Sequence, residues 1–466
     1  MSTLSSDRPL RWPSVAFVLF CVFLATLWLA GGATRADVFG QVVVRVAAAL
    51  ALIALALFGD APVIARARPI WWLLLTAILL AVVQLIPLPP SIWHALPERA
   101  LIAEATRDQS QPWRSLAIVP GTTLNALASL IVPLVILCLA TGIRPDERGL
   151  LPGVIFVMIA ASGLLGLVQI SGVGFNNPFI NESAGAIGSS FANRNHFALL
   201  LALGCLQVPA WVFVSGHRLR GRALIGVGVS VLFLLSILAT GSRGGLLLGA
   251  VALIMGVLIA RGTIKHALGQ APRWALPAVI AAVVALIIAV MLLSVAADRA
   301  VSIQRAIDID ARFDMRSRAL PTIWAMTLEY FPFGAGLGSF DPMFRIHEPL
   351  PLLKPTYFNH AHNDLLEVVL DAGIPGLLLL ATALAWWGWA GLRVWRSAEH
   401  CSGADWSEAG DPDGNANPLL ARIGSAMLLL ILLASAFDYP ARTPIMMALI
   451  IVAALWLHDG APSRRG

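Results

Sequence analysis

Charge is scarce in this chain: Asp, Glu, Lys and Arg make up 12% of its 466 residues, against roughly 25% in an ordinary soluble domain. With 58% of the residues hydrophobic, no water-soluble fold can hide the apolar surface. Cysteine is equally sparse, at four residues. Cys21, Cys138 and Cys205 fall in apolar runs and Cys401 in a polar stretch. No pair is placed to bridge, which excludes a disulfide framework. A glycine-rich nucleotide-binding pattern at a strand-to-helix junction is missing, as is any internal repeat, so dinucleotide domains, P-loop enzymes and solenoids are set aside.

Long apolar runs are what the chain has. A hydrocarbon core about 30 Å thick takes roughly 20 residues of helix, and twelve runs near that length stand between clusters of charge and Pro/Gly. They lie near 15–30, 38–58, 70–88, 123–141, 150–171, 196–214, 223–240, 244–260, 275–296, 366–392, 418–436 and 440–458. The first run also reads as a cleavable signal peptide, an alternative disfavoured by the eleven spans that follow it. The expected fold is therefore an all-α integral membrane protein of about 12 transmembrane helices.

Lys and Arg in short loops set the orientation, because basic residues near helix ends resist translocation. One alternate set of segments carries Arg8, Arg11, Arg66, Arg68, Arg144, Arg148, Arg218, Arg220, Arg222, Arg261, Lys265, Arg273, Arg393, Arg396, Arg464 and Arg465. The opposite short loops carry only Arg35, Arg194, Arg243 and Arg442. Both termini are expected in the cytoplasm of a bacterial inner membrane. The net charge of +6 then reflects anchoring to anionic membrane lipids, with no nucleic acid as partner.

Two long segments face outward, 89–122 and 297–365. The second gives a three-part organisation: helices over 1–296, a periplasmic loop domain over 297–365 between spans 9 and 10, and helices plus tail over 366–466. That loop mixes Arg299, Arg305, Arg312, Arg316, Arg318, Arg345 and Lys354 with Gly334, Gly336, Gly338, His347, His360 and His362, a mixture expected of an anion-binding surface. Residues 397–417, rich in Gly, Ser, Asp and Asn, read as a connector. Only Arg45 and Arg422 lie clearly within apolar runs, each near enough to an end to snorkel. A transporter keeps its polar groups near the midplane; here they gather at the outer mouth.

Four constellations sit at that mouth. Phe191-Ala-Asn-Arg-Asn-His-Phe197 opens a span, where Asn193 or Asn195 caps a helix and Arg194 snorkels, or where amides, guanidinium and helix N–H groups together cradle an anion. Thr240-Gly-Ser-Arg-Gly-Gly245 is a tight turn carrying Arg243, whose planar fork suits a diphosphate. Asp308-Ile-Asp310, with Arg316 and Arg318 following, has the Asp-x-Asp spacing of some glycosyltransferase metal sites, a pattern that also recurs by chance. His360-Ala-His-Asn-Asp-Leu-Leu-Glu367 leads into Asp371-Ala-Gly-Ile-Pro-Gly376. Asp364 and Glu367 have capping-box spacing, while either histidine suits a general base or a phosphate partner. Without a third ligand beside them, metal binding is the minority reading.

Taken in order with Gln84-Leu-Ile-Pro-Leu-Pro-Pro90 and Pro332-Phe-Gly-Ala-Gly-Leu-Gly-Ser-Phe340, these motifs resemble the O-antigen ligase and polymerase family over nearly the whole chain. The resemblance implies a multi-spanning, GT-C-like transferase. Its donor would be an undecaprenyl-diphosphate-linked glycan and its acceptor lipid A-core or another glycan. It also implies catalytic roles for His362 and Arg243 and substrate binding by Asn193, Arg194, Asn195, Arg316, Arg318 and Asn363, with Arg316 and Arg318 fitting the family's loop arginine equally well; His360, read from its own position, is the reserve candidate for the site. No cofactor or metal is expected. Ligation to lipid A-core is the favoured activity, ahead of polymerase, protein O-glycosylation and, from another class, transport.

Overall fold

The computed structural model describes residues 12–105, 110–171, 177–181, 187–213, 219–267, 315–353, 358–397 and 418–460, with position 108 and a few single positions between 274 and 292. The predicted run at 275–296 falls largely, and Arg299, Arg305, Asp308, Asp310 and Arg312 wholly, outside the described residues. Apolar helices dominate: α1 Val15–Ala30, α2 Phe39–Phe58, α3 Arg68–Leu85, α4 Pro120–Ser129, α5 Ile131–Gly142, α6 Leu151–Ile170, α7 Arg194–Phe213, α8 Leu219–Ala239 and α9 Arg243–Ala267. A loop segment with α10 Met315–Glu329 and α11 Phe340–His347 follows, then α12 Asp364–Ser397, α13 Pro418–Ser435 and α14 Pro444–Asp459. Among the described residues, eight helical stretches are long and apolar enough to cross a membrane, and three shorter apolar helices accompany them. This is a multi-pass architecture.

Helix α2 illustrates why these helices need lipid. Val44, Ala48, Ala51 and Leu55 are buried while Val42, Val46, Leu50, Ile53 and Leu57 are exposed, so both faces are apolar and the outward one suits hydrocarbon rather than water. Arg45 on this helix does not merely snorkel. Its Nη2 donates to Asn125 Oδ1 at 2.5 Å and to Ser129 Oγ at 3.2 Å, tying α2 to α4 by the polar pairing that apolar surroundings favour. Helix α7 is buried on all sides and packs against α6, α8, α9 and α13. The approach of α9 is close: a Cβ on Gly256 would sit 2.5 Å from the Leu206 carbonyl oxygen.

One end of the bundle gathers the start of α2, α4, α7, α9, α12 and α14 and the end of α1, α3, α6, α8 and α13. There the chain is cross-tied: Ala192 N donates to Gly32 O, Ile445 N to Gly31 O and Gly40 N to Phe179 O. At the opposite end Ser14 donates to Glu147 through its backbone N and its hydroxyl, and Arg66 pairs with Asp459.

The loop segment has a core of its own, built from Ala319, Ile323, Met326, Tyr330, Phe340, Met343, Phe344, Leu352, Ala361 and Leu370. A two-strand ribbon, β1 Pro87–Leu88 against β2 Arg114–Ser115, docks beside it. Ile118 N donates to Ala335 O and Thr123 Oγ1 to Leu337 O. Gln84 clasps both sides, its Nε2 donating to Asp371 O and its Oε1 accepting from Leu337 N. The N–H groups of the glycine segment are therefore engaged within the protein. Gly334, Ala335 and Gly336 N–H groups go to the carbonyls of Tyr330, Leu370 and Asp371, and Gly338 N goes to Asp371 Oδ2 at 3.0 Å. Those donors are already spent.

Helix α12 is broken at Gly373, whose φ of 55° and ψ of −138° lie outside helical values. A Cβ there would fall 1.9 Å from the Pro332 carbonyl oxygen. Gly373→Ala is expected to destabilise the protein by about 1–3 kcal/mol from backbone strain alone, and the clash adds to it. A lowered Tm in detergent, read beside Gly388→Ala, where a Cβ meets open space, checks this.

Candidate active site

Two loops meet over the start of α7. The first, 358–363, precedes α12; the second, 436–443, joins α13 to α14. The side chain of His362 is 15% exposed and that of Asp438 7%, and His362 Nδ1 lies 3.1 Å from Asp438 Oδ1. A carboxylate only accepts, so Nδ1 carries the proton. The Nε2 lone pair then faces away from Asp438, the state a general base needs. His362 takes a φ of 51°, an uncommon conformation for a non-glycine residue and one that clusters at functional sites.

Asp438 is the hub. Asn195 Nδ2 donates to its Oδ2 at 2.7 Å, Asn193 Nδ2 lies 3.2 Å from both oxygens, and Arg316 Nη2 is 3.5 Å from Oδ2. Buried His196 approaches Oδ1 at 3.8 Å. Burial alone would raise the Asp438 carboxyl, but nearby His196, the hydrogen bond from His362 and the Arg316 charge hold it well below the usual carboxylate range. Burial pushes the His362 imidazole below its ordinary value, and the Asp438 hydrogen bond opposes that pull without cancelling it. The pair thus combines a fixed carboxylate with an imidazole kept neutral.

Tyr439 stands among three imidazoles, its ring centroid 5.0 Å from that of His196, 4.3 Å from His360 and 4.9 Å from His362. Burial pushes its phenol up to about 12, so it stays protonated. His360 is committed at both nitrogens, Nδ1 to Glu367 Oε1 at 2.9 Å and Nε2 against the Thr34 hydroxyl at 3.1 Å. Of the two histidines named from the sequence, His362 alone has a ring nitrogen without a protein partner among the described residues.

The structure sorts the remaining candidates. Asn193 caps α7, its Oδ1 accepting from Asn195 N at 2.9 Å, and both amides also reach Asp438, so the cap and the site are one arrangement. Arg194 is exposed, and its Nη1 is 3.5 Å from where a Cβ on Gly241 would lie, which sets it beside the turn carrying exposed Arg243. Arg316 belongs to the cluster, donating also to Phe437 O at 3.0 Å. Arg318 is turned to Pro351 O at 3.3 Å, which separates two arginines the sequence left equal. Asn363 is the cap of α12, its Oδ1 accepting from Leu366 N at 3.0 Å. This corrects the capping-box reading of Asp364 and Glu367: their carboxylates turn inward to Arg442. Among the described residues no three His, Cys, Asp or Glu side chains are grouped to hold a metal ion.

Sequence reasoning missed Asp438, Tyr439, Arg442 and His196. The signal was the segment Asp438-Tyr-Pro-Ala-Arg442, two opposite charges in a short turn between apolar helices, where neither is needed for topology. Compared with known proteins, residues 228–381 match the family model described as O-antigen ligase, a family of O-antigen ligase and polymerase type whose members are membrane glycosyltransferase-like enzymes. No curated protein matches the chain.

Proposed function

Because the chain is O-antigen ligase-like over residues 228–381, we propose that it transfers a glycan from undecaprenyl diphosphate to lipid A-core at the outer face of the bacterial inner membrane. The observation that carries this reading is the buried His362–Asp438 pair, set at the helix end where Asn193, Arg194, Asn195, Arg243 and Arg316 also converge. His362 Nε2 takes the proton of the acceptor hydroxyl as its oxygen bonds to the anomeric carbon. The bond from that carbon to the diphosphate breaks, and the electron pair leaves with undecaprenyl diphosphate. A single displacement of this kind inverts the anomeric centre.

Charge grows on the departing diphosphate, and fixed donors aimed at growing charge contribute most to rate. Arg243, with Arg194 beside it, supplies those donors; Asn193, Asn195 and Arg316 keep Asp438 in place. Arg243→Lys retains a charge but not the planar fork, and its transfer rate with purified donor should fall by at least about 10-fold, the worth of one charge-assisted hydrogen bond. Wild-type speed in that variant would remove Arg243 from the donor site.

Gel analysis of lipopolysaccharide from a strain lacking the gene tests the acceptor. Loss of the O-antigen ladder with core retained is expected. Core bearing one repeat would make the chain a polymerase, and an unchanged pattern would overturn the reading. Reconstituted transfer should survive chelator; complete loss on chelation would redirect attention to Asp308 and Asp310.

A further inference from the structure

The reaction above makes no use of Arg442, which sits four residues after Asp438 and faces three carboxylates. Its Nε is 3.2 Å from Asp364 Oδ1, and its Nη1 is 3.1 Å from Glu367 Oε1 and 3.6 Å from Asp371 Oδ2. Those carboxylates lie three and four residues apart on α12, so they share one helix face, and all are buried. Stability does not explain such a cluster, since withdrawing several charges from water costs about as much as their attraction returns.

Its geometry gives the better account. Glu367 Oε1 accepts from His360 Nδ1, and its Oε2 accepts from Ala361 N at 2.7 Å, the peptide just before His362. Asp364 Oδ2 accepts from Ala441 N at 3.1 Å and from Ser435 Oγ at 2.8 Å, which flank Asp438 and Tyr439. Asp371 Oδ2 holds Gly338 N and so the glycine segment. Three pieces of chain hang from one face of α12, and a single guanidinium draws that face together.

We propose that Arg442 is a positioning residue that fixes the two loops in register, so that Asp438 meets His362 Nδ1 and leaves Nε2 directed at the acceptor. The proposal rests on His362 being the base. Groups facing His362 are Asp438, Tyr439, Arg316 and His360; those facing Arg442 are Asp364, Glu367 and Asp371. Removing the guanidinium leaves three carboxylates uncompensated and, by loosening the loops, readmits water to the ring. Both changes favour the imidazolium of His362, and the weakened Asp438 contact opposes them less strongly, since burial is the larger pull on this ring.

The test uses the full chain, wild type beside Arg442→Gln and Arg442→Lys, with two readouts. Diethyl pyrocarbonate labels only neutral imidazole, so its rate at His362 against pH, followed by peptide mass spectrometry, reports that ring without any glycan. Transfer assays report kcat and KM. The Gln variant should move the labelling midpoint upward by about one pH unit, with the Lys variant between it and wild type. kcat in the Gln variant should fall roughly 10²-fold, as misplacement by about 1 Å does, with KM held within about threefold.

An unchanged midpoint, or wild-type kcat, in Arg442→Gln overturns the proposal. If that variant does not fold, Arg442→Lys decides on the same criteria. Labelling separates the two readings: a shifted midpoint beside an inactive wild type sustains the clamp and overturns the glycan transfer, whereas an active wild type with an unmoved midpoint does the reverse.

Discussion

His362→Ala is expected to lower kcat by roughly 10²- to 10⁴-fold, the worth of a positioned general base, while donor affinity stays close to wild type. The ring is largely buried and sits between Tyr439 and Phe358, so the truncation also removes packing; thermal unfolding beside the assay separates the two losses. The wild-type pH profile carries the same prediction in another form. The base works unprotonated, so kcat/KM should fall as pH drops through the His362 titration. Burial places that titration below the ordinary imidazole value, so the acid limb should lie below about pH 6.5. Retention of more than about a tenth of wild-type kcat in His362→Ala would remove the residue from the chemistry.

Asp438→Asn should approach the same loss by a different route. The amide is nearly the shape of the carboxylate, but it cannot stabilise an imidazolium, and its NH₂ can turn toward Nδ1 and select the opposite tautomer. A comparable exchange behind a catalytic histidine in another enzyme costs about 10⁴-fold. Here Asn193, Asn195 and Arg316 also lose their anionic acceptor, so a fall of roughly 10²- to 10⁴-fold in kcat with modest change in KM is expected. Steady-state transfer with purified lipid-linked donor checks it. An Asp438→Asn variant as fast as wild type would reduce Asp438 to a structural hub.

The apolar helices were legible because hydrocarbon imposes one rule on a spanning segment, and α2, α7 and α9 obey it in composition alone. Asn193, Arg194, Asn195, Arg243, Arg316 and His362 were legible because amides, guanidinium and imidazole at the mouth of apolar helices have few other uses. What escaped was pairing. Asp438 and Arg442 read as loop charges because they meet His362 and Asp364 across 76 and 78 positions of chain, and spacing carries no trace of a contact made only when two hairpins close. The partners of the glycine segment escaped for a related reason: Asp371 and Gln84, which take N–H groups of Gly338 and Leu337, come from two different helices. Asn363 also caps α12, a use that its place in the sequence does not tell apart from that of a ligand-binding amide.

The halves of the candidate site arrive at different times. His362 lies ahead of α12, while Asp438, Tyr439 and Arg442 sit between α13 and α14. During synthesis, every span up to α12 can be threaded into the bilayer while the imidazole still lacks the carboxylate that orients it. Under the proposed mechanism, a nascent chain stalled or cut short at that stage holds Arg194 and Arg243 without an oriented base. On that mechanism it binds donor without transferring its glycan, so the order of translation itself delays the chemistry until the hairpin of α13 and α14 is inserted.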